Sequence, residues 1–260
     1  MAKKKIDVAE VIEGMEGADA APVNLAAFLS RRPTFKRFEL WLVGETPLIT
    51  HAWSQKAKIE MLQKQVKATK AGKEARDPKA DFVSSLYEIE DGAFGFPAMG
   101  VKNAILSSAH KDKGLPRSVV QTALWIDSIM ARTQTASPGA MCNMPLLRIY
   151  GSDPEMREDM VRVGSGLNKT ASLAYRGQFT TWAIRLTGRF NASVLNDEAL
   201  AYLLVESGAT IGIGEWRPER RGPFGTFRLA SEEEAAAWDA YAAGEGQLPV
   251  DVTDFAQAAE

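Results

Sequence analysis

The chain has little cysteine and little histidine, with one cysteine and two histidines in 260 residues. A lone cysteine, Cys142, cannot form an intramolecular disulfide, which fits a reducing cytoplasm and argues against a small secreted scaffold. Cys142, His51 and His110 are too few for a zinc site of nitrogen and sulfur ligands, so we expect no metal and no cofactor. No apolar run approaches the length of about 18 residues that a membrane helix needs, and no signal peptide is evident. We therefore expect a cytoplasmic protein with no membrane partner.

The signatures of common enzyme classes are also missing. No GxSxG, HExxH, GxxxxGK[ST] or kinase motif occurs, and GIGEW does not match the dinucleotide fingerprint GxGxxG. A dinucleotide-binding site is therefore not expected.

The composition is that of an ordinary globular protein, but the charge is unevenly distributed. Residues 231–260 contain eight acidic residues and no lysine or arginine, so residues 1–230 carry +6 although the whole chain carries −2. Residues 1–35 balance five basic against five acidic residues, so the positive excess lies on the part predicted to fold. We predict a flexible arm over 1–35, a domain over 36–230, and an acidic helix and tail over 231–260.

Hydrophobic periodicity predicts the element order strand, helix, strand or hairpin, strand, helix, strand. The predicted elements are a strand from Phe35 to Leu42, helices over 54–76, 97–110, 118–131 and 197–207, a hairpin in YEIEDGAFGF, and strands in MPLLRIYG, in FTTWAIRLTGRFN and over 224–229. Asp77-Pro78 is expected to end the first helix and Gly208 the last one, and the weak pattern over 155–177 predicts a long loop or an irregular insertion. This order is the βαββαβ arrangement of an α+β ferredoxin-like or RRM-like fold with insertions, in which one face of the sheet is free to bind.

Two segments concentrate side chains that could contact nucleic acid. Residues 54–76 hold seven basic and two acidic residues, a density that attracts phosphates, although a solvated helix face gives the same pattern. The candidates on this helix are Lys64, Lys67, Lys70 and Lys73. The loop IGIGEWRPERRGPFGTFRL interleaves rings with arginines, as a non-specific single-strand site requires, and the alternative is a long hairpin with ordinary turn glycines.

The loop supplies most of the candidate site. Stacking is expected from Trp216 and Phe224, and phosphate contacts from Arg217, Arg220 and Arg221. Four glycines permit close backbone approach, namely Gly212, Gly214, Gly222 and Gly225. A third basic stretch near the middle of the chain adds Arg176.

His51 is the candidate for catalysis because it follows the first strand in TPLITHAW. A histidine at a strand end can act as general acid or base in metal-independent RNA cleavage. The alternative is a hydrogen-bonded turn histidine, and the sequence identifies no second acid or base to work with it.

Helix 197–207 followed by SGATIGIGEWRPERRGPFGTFRL resembles the glycine-rich loop and last strand of the RAMP superfamily, the ferredoxin-like proteins that form the RNA-binding backbone of CRISPR complexes. TPLITH is similar to the first strand of that superfamily, and GFPAMGVKNAILSSA resembles its following helix. The stretch 36–229 also looks like a group of uncharacterised phage-encoded proteins that share GEWRPE followed by GxF. The acidic tail departs from the CRISPR pattern and is similar to the tails of single-stranded DNA-binding proteins.

The resemblance implies a nucleic-acid-binding protein whose copies stack side by side along a strand. We therefore expect a non-enzymatic, sequence-tolerant binder of single-stranded DNA or RNA, phage-encoded and located in the host cytoplasm, with an acidic tail that recruits a protein partner. Two alternatives stay open. One is a RAMP-type metal-independent endoribonuclease that uses His51, and the other is a decoy of a CRISPR backbone subunit that acts through protein contacts.

Overall fold

The computed structural model describes residues 33–66, 77–89, 92–109, 115–133, 142–164 and 170–249, together with positions 135, 137 and 140. The unit that begins at Phe35 is α+β, with antiparallel pairing between its described strands. Residues 1–32 of the predicted arm, the candidates Lys67, Lys70 and Lys73, and the end of the predicted tail lie outside the described residues.

A seven-stranded antiparallel sheet forms the centre of the described structure. Its main path runs β10–β1–β9–β6–β3, with β1 Phe35–Gly44, β3 Gly95–Pro97, β6 Cys142–Gly151, β9 Trp182–Asn191 and β10 Phe227–Leu229. Two short strands extend this path, β4 (Leu124–Ile126) beside β9 and β5 (Ile129–Thr133) beside β6. The long pair β1 and β9 joins parts of the chain that are about 150 residues apart in sequence, from Phe35 opposite Asn191 to Val43 opposite Ala183.

The described residues form six α-helices. They are α1 (Gln55–Gln65), α2 (Pro78–Ser84), α3 (Ala98–Ala109), α4 (Arg117–Ala123), α5 (Asp197–Glu206) and α6 (Glu232–Ala242). α3 and α5 pack on one face, where Leu42 of β1 and Ile184 of β9 are fully buried. The Ser108 hydroxyl of α3 donates to the Leu203 carbonyl oxygen of α5 at 3.1 Å, which joins the two helices.

The opposite face of the sheet, here called the outer face, is covered at one end by α6. Because side chains alternate along a strand, Trp41 points away from Leu42 and packs on Trp238 of α6, which is 1% exposed. Ser231 and Glu234 form a capping box that fixes the start of α6. The prediction that this face is free is therefore wrong for the end under α6, and the acidic segment begins as a packed element.

A three-stranded sheet stands where the sequence predicted a loop or insertion. β7 (Glu155–Val163) and β8 (Thr170–Phe179) pair along their length, and β2 (Leu48–Thr50) pairs with the last residues of β8. β7 has no buried residue. A strand that buries neither face shows no apolar alternation, which is why periodicity did not predict it.

Three predicted boundaries are also wrong. The helix over 118–131 ends at Ala123, because Trp125 and Ile129 lie in strands that pair with β9 and β6. Asp77 does not end a helix but caps α2, since its carboxylate accepts from the Lys79 and Ala80 amides. Gly208 does not stop α5, which widens into a π-turn over Ser207–Ile211 and ends at Gly212, where φ is +68°.

Candidate nucleic-acid interface

The glycine-rich loop, residues 212–226, is a fixed structure docked on β2 and the turn before it. The Glu215 amide donates to the Ile49 carbonyl oxygen at 3.0 Å, and the Gly225 amide donates to Pro47 at 2.9 Å. These two bonds place the loop beside the residues that directly follow β2, and among them is His51.

The loop's own path requires its glycines. Gly212, Gly214 and Gly225 have φ values of +68°, +82° and +70°, which side chains disfavour. Gly222 has no such φ, but a β-carbon there would overlap the Trp216 carbonyl oxygen. The four predicted glycines therefore have a folding role whether or not a ligand approaches them.

A cleft of about 400 Å³ lies between this loop and α3. Its polar lining includes His51, Tyr87, Asn103, Ser107, Arg117, Glu215, Arg217, Glu219 and Arg220. Of the predicted residues, the structure brings together His51, Arg217, Arg220, Gly212 and Gly214 at this cleft. Arg117 comes from the start of α4, and the sequence analysis did not single it out.

The charges in the cleft are only partly compensated. Arg217 pairs with Glu219 at 2.6 Å and donates to the Gly214 carbonyl oxygen at 3.0 Å, so it is held by the loop itself. Arg117 and Arg220 are exposed, and neither has a carboxylate within ion-pair distance among the residues that the structure describes. Within the described part of the chain, the cleft therefore presents two guanidinium groups that no carboxylate pairs.

His51 has an acidic neighbour that the sequence did not reveal. Its Nδ1 lies 3.4 Å from Oε1 of Glu215, and this contact lowers the pKa of Glu215, as do the charges of Arg176 and Arg217. The Tyr87 hydroxyl donates to the His51 carbonyl oxygen at 3.1 Å. Burial and the Glu215 charge raise the pKa of Tyr87, so the phenol stays protonated at neutral pH. His51, Glu215 and Tyr87 come together because the loop docks on β2, and no linear motif in the sequence shows this contact.

The remaining predicted residues do not converge on the cleft lining. Trp216 is 40% exposed, and Arg221 is exposed with φ of +65°. Phe224 is half-buried under the guanidinium of Arg157, which lies 4.5 Å from the ring centre. Lys64 is exposed on α1, a helix with no buried residue.

Arg176 is not available to a ligand in the way that the sequence suggested. It is 7% exposed, and its Nη1 lies 3.2 Å from Asp159, which also accepts from Arg157 at 2.9 Å. This ion-paired group holds β7 to β8. Side chains alternate along β8, and this alternation turns Arg176 toward Asp159. The number of basic residues in the sequence does not show that orientation.

A second set of basic and aromatic residues lies at the end of the outer face that α6 does not cover. Arg37 and Arg189 are exposed there, beside Phe35, which is 46% exposed, and Trp125, which is 36% exposed. Arg185 and Arg189 are an even number of residues apart in β9, so the sequence places them on one face of that strand. Their neighbours on adjacent strands follow only from the register.

Comparison with known proteins does not assign the chain to a family. No family model matches it, and no curated protein is significantly similar. Within the described ranges no helix is long and apolar enough to cross a membrane. The same residues contain no group of three or more His, Cys, Asp or Glu side chains placed to hold a metal ion.

Proposed function

We propose that this protein binds single-stranded DNA or RNA without strong sequence preference, through the cleft between the glycine-rich loop and α3. The observation that carries the proposal is the pair Arg117 and Arg220, two exposed guanidinium groups that line one cleft and lack a carboxylate partner in the described structure. Guanidinium groups bind phosphate oxygens in bidentate fashion, and phosphate contacts dominate the affinity of sequence-tolerant binders.

The strand order supports a ferredoxin-like core as part of this proposal. β10, β1, β9 and β6 lie side by side and antiparallel, with α3 between β1 and β6 in the chain and α5 between β9 and β10. We read this order as βαββαβ, in which β7 and β8 are an insertion between the second and third strands of the core. Side-by-side assembly along a strand and a cytoplasmic location belong to the same proposal.

Trp216 extends the proposed path beyond the cleft. Its ring is exposed on the same loop that supplies Arg217 and Arg220, and a base can stack on an exposed indole whatever its identity. Ser107 and Asn103 of α3 add neutral hydrogen-bonding groups on the opposite wall. A strand lying along the loop would thus contact arginines in the cleft and a ring outside it.

Fluorescence polarisation with labelled oligo-dT and oligo-U tests this proposal. Arg117→Ser with Arg220→Ser should weaken binding at least tenfold at about 50 mM salt, since each contact to a charged group contributes about 1.5–3 kcal/mol. The matched control is Arg132→Ser with Arg162→Ser, which removes the same charge from exposed positions on β5 and β7. No binding by the wild type at that salt, or equal weakening in both double variants, would contradict the proposal.

The group His51, Glu215 and Tyr87 favours a second candidate function, metal-independent RNA cleavage. Glu215 can hold the Nδ1 proton of His51 and leave Nε2 to take the proton of a ribose 2′-hydroxyl. The 2′-oxygen would attack the adjacent phosphorus, the bond to the 5′-oxygen would break, and that oxygen would take a proton from water. The products are a 2′,3′-cyclic phosphate and a 5′-hydroxyl.

Incubation of labelled RNA with the full chain in the presence of a chelator tests this candidate. His51→Ala should abolish the cyclic-phosphate product, and Glu215→Gln should reduce it. An oligo-dT of the same length should stay intact because it lacks the 2′-hydroxyl. Equal products from wild type and His51→Ala, or no product from either, would contradict RNA cleavage as a function of this protein.

A further inference from the structure

The covered end of the outer face shows what kind of group this surface accepts. In the β1–β9 register Trp41 lies directly opposite Arg185. α6 places the Trp238 ring against Trp41, with ring centres 5.9 Å apart and planes 27° from parallel, and places the Asp239 carboxylate 3.8 Å from Arg185. The Trp41 indole also donates to Asp239 at 3.1 Å. The occupant of this end is therefore one stacked ring with one anion attached to it.

The other end of the same face presents the same kinds of group, and these are exposed within the described residues. Here Arg37 lies opposite Arg189, and Trp125 of β4 lies on the other side of Arg189. The Arg189 guanidinium is 5.5 Å from the Phe35 ring centre and 5.7 Å from that of Trp125. We call these four residues the open end. The register across these three strands thus runs Arg37, Arg189, Trp125, and Phe35 precedes Arg37 on the same face of β1.

Among the residues that the structure describes, neither arginine of the open end has an anionic partner. Like charges directly opposite each other on adjacent strands destabilise a sheet unless an anion lies between them. Glu39, the next residue on this face of β1, pairs with Arg185 at the covered end. Asp127, just after β4, is not within ion-pair distance of Arg37 or Arg189 in the described structure. An external anion beside a ring would therefore complete this end as Trp238 and Asp239 complete the other.

We propose that the open end is a second nucleotide-binding site, where a phosphate of single-stranded nucleic acid lies between Arg37 and Arg189 and bases stack on Phe35 and Trp125. This inference rests on the proposed function and deepens it. A nucleotide joins one ring to one anion, and α6 presents the same combination to the covered end. The open end lies on the outer face, whereas the cleft is formed by the loop and by α3, which packs on the opposite face, so a strand must pass from one side of the sheet to the other to contact both.

The test compares two double variants of the full chain in polarisation titrations with an oligo-dT of about 16 nucleotides. Arg37→Gln with Arg189→Gln should weaken binding at least tenfold and reduce the slope of log K against log salt by about 1.4, since each phosphate contact of a single strand contributes about 0.7. Arg132→Gln with Arg162→Gln is the control with the same charge change. An iodouracil-substituted strand should photo-crosslink to peptides that contain Trp125 or Phe35.

The outcomes separate this inference from the proposed function. If the open-end variant binds like the control while the Arg117 and Arg220 variant binds weakly, the cleft proposal stands and the open-end proposal is overturned. If wild type does not bind, both are overturned. If the open-end variant changes the sedimentation of the protein without nucleic acid, a second copy of the chain occupies the face and the open-end proposal is again overturned. Equal thermal melts of both variants exclude misfolding as the cause of a loss.

Discussion

The two ends of the outer sheet face carry the same kinds of side chain in different environments. At the covered end Trp41 is 2% exposed beneath Trp238, and Asp239 lies near Arg185. At the open end Trp125 is 36% exposed, and Arg37 and Arg189 lack a carboxylate partner among the described residues. The difference teaches that rings and arginines on one surface do not share one role. At the covered end they pack beneath α6, and at the open end they are exposed and contact one another within the described residues.

The largest expected difference between the two ends is in stability. Trp238→Ala should lower the free energy of unfolding by about 3–5 kcal/mol, because it removes a fully buried ring and leaves a cavity over Trp41. Trp125→Ala should lower it by less than about 1 kcal/mol, as for most surface changes. Urea denaturation followed by circular dichroism measures both values. Similar losses in the two variants would show that the ends are not distinct.

The next largest expected effect is on binding and concerns the Asp239 carboxylate of α6. Asp239→Asn keeps an oxygen that can accept from the Trp41 indole but removes the charge near Arg185. We expect oligo-dT binding at low salt to tighten about threefold, because the face loses a competing negative charge. Glu233→Gln, an exposed position in the first turn of α6, makes the same change in net charge and is the control. If both variants tighten binding equally, only the net charge matters.

The smallest expected effect is the acid sensitivity of the α6 attachment. Hydrogen bonds from Arg228 and from the Ser231 amide lower the pKa of Glu234 from 4.5 to about 2. A depressed pKa in the folded state stabilises the protein above the unfolded value, so this contribution is lost as pH falls from about 4.5 through about 2. Glu234→Gln should therefore lower the melting temperature at neutral pH and have little effect near pH 2.

Arg228→Gln provides the control for that comparison. Glu234 and Arg228 are partners in one ion pair, so the double variant should melt close to the two single variants rather than at the sum of their shifts. Additive shifts, or a Glu234→Gln deficit that is the same at every pH, would contradict this role for the pair.

The sequence predicted the elements that bury one clear face. β1, β6, β9 and α5 follow from alternating or helical apolar patterns and, for α5, from the Asn196 cap that accepts from the Ala199 amide. β4 and β5 were assigned to a helix because short apolar runs suit either period. Both segments form strands where a helix was predicted, so pairing with neighbouring strands, a tertiary effect, overrides the local preference for helix.

The candidate site was only partly predictable, for a related reason. The loop residues Arg217 and Arg220 are adjacent to the glycines that mark the loop, so composition identified them. The pairing of Arg37 with Arg189 and the approach of Glu215 to His51 depend on contacts between distant parts of the chain. Arg176 shows the converse, since a basic residue in sequence becomes a buried partner of Asp159 in the fold.

The most direct test of the central claim is the salt dependence of wild-type binding to a single strand. We propose phosphate contacts at Arg117 and Arg220 in the cleft and at Arg37 and Arg189 on the sheet. Four contacts predict a slope of log K against log salt of about −2.8, with measurable binding at about 50 mM salt. Absence of binding at that salt, or a slope near zero, would contradict the claim that this protein binds single-stranded nucleic acid.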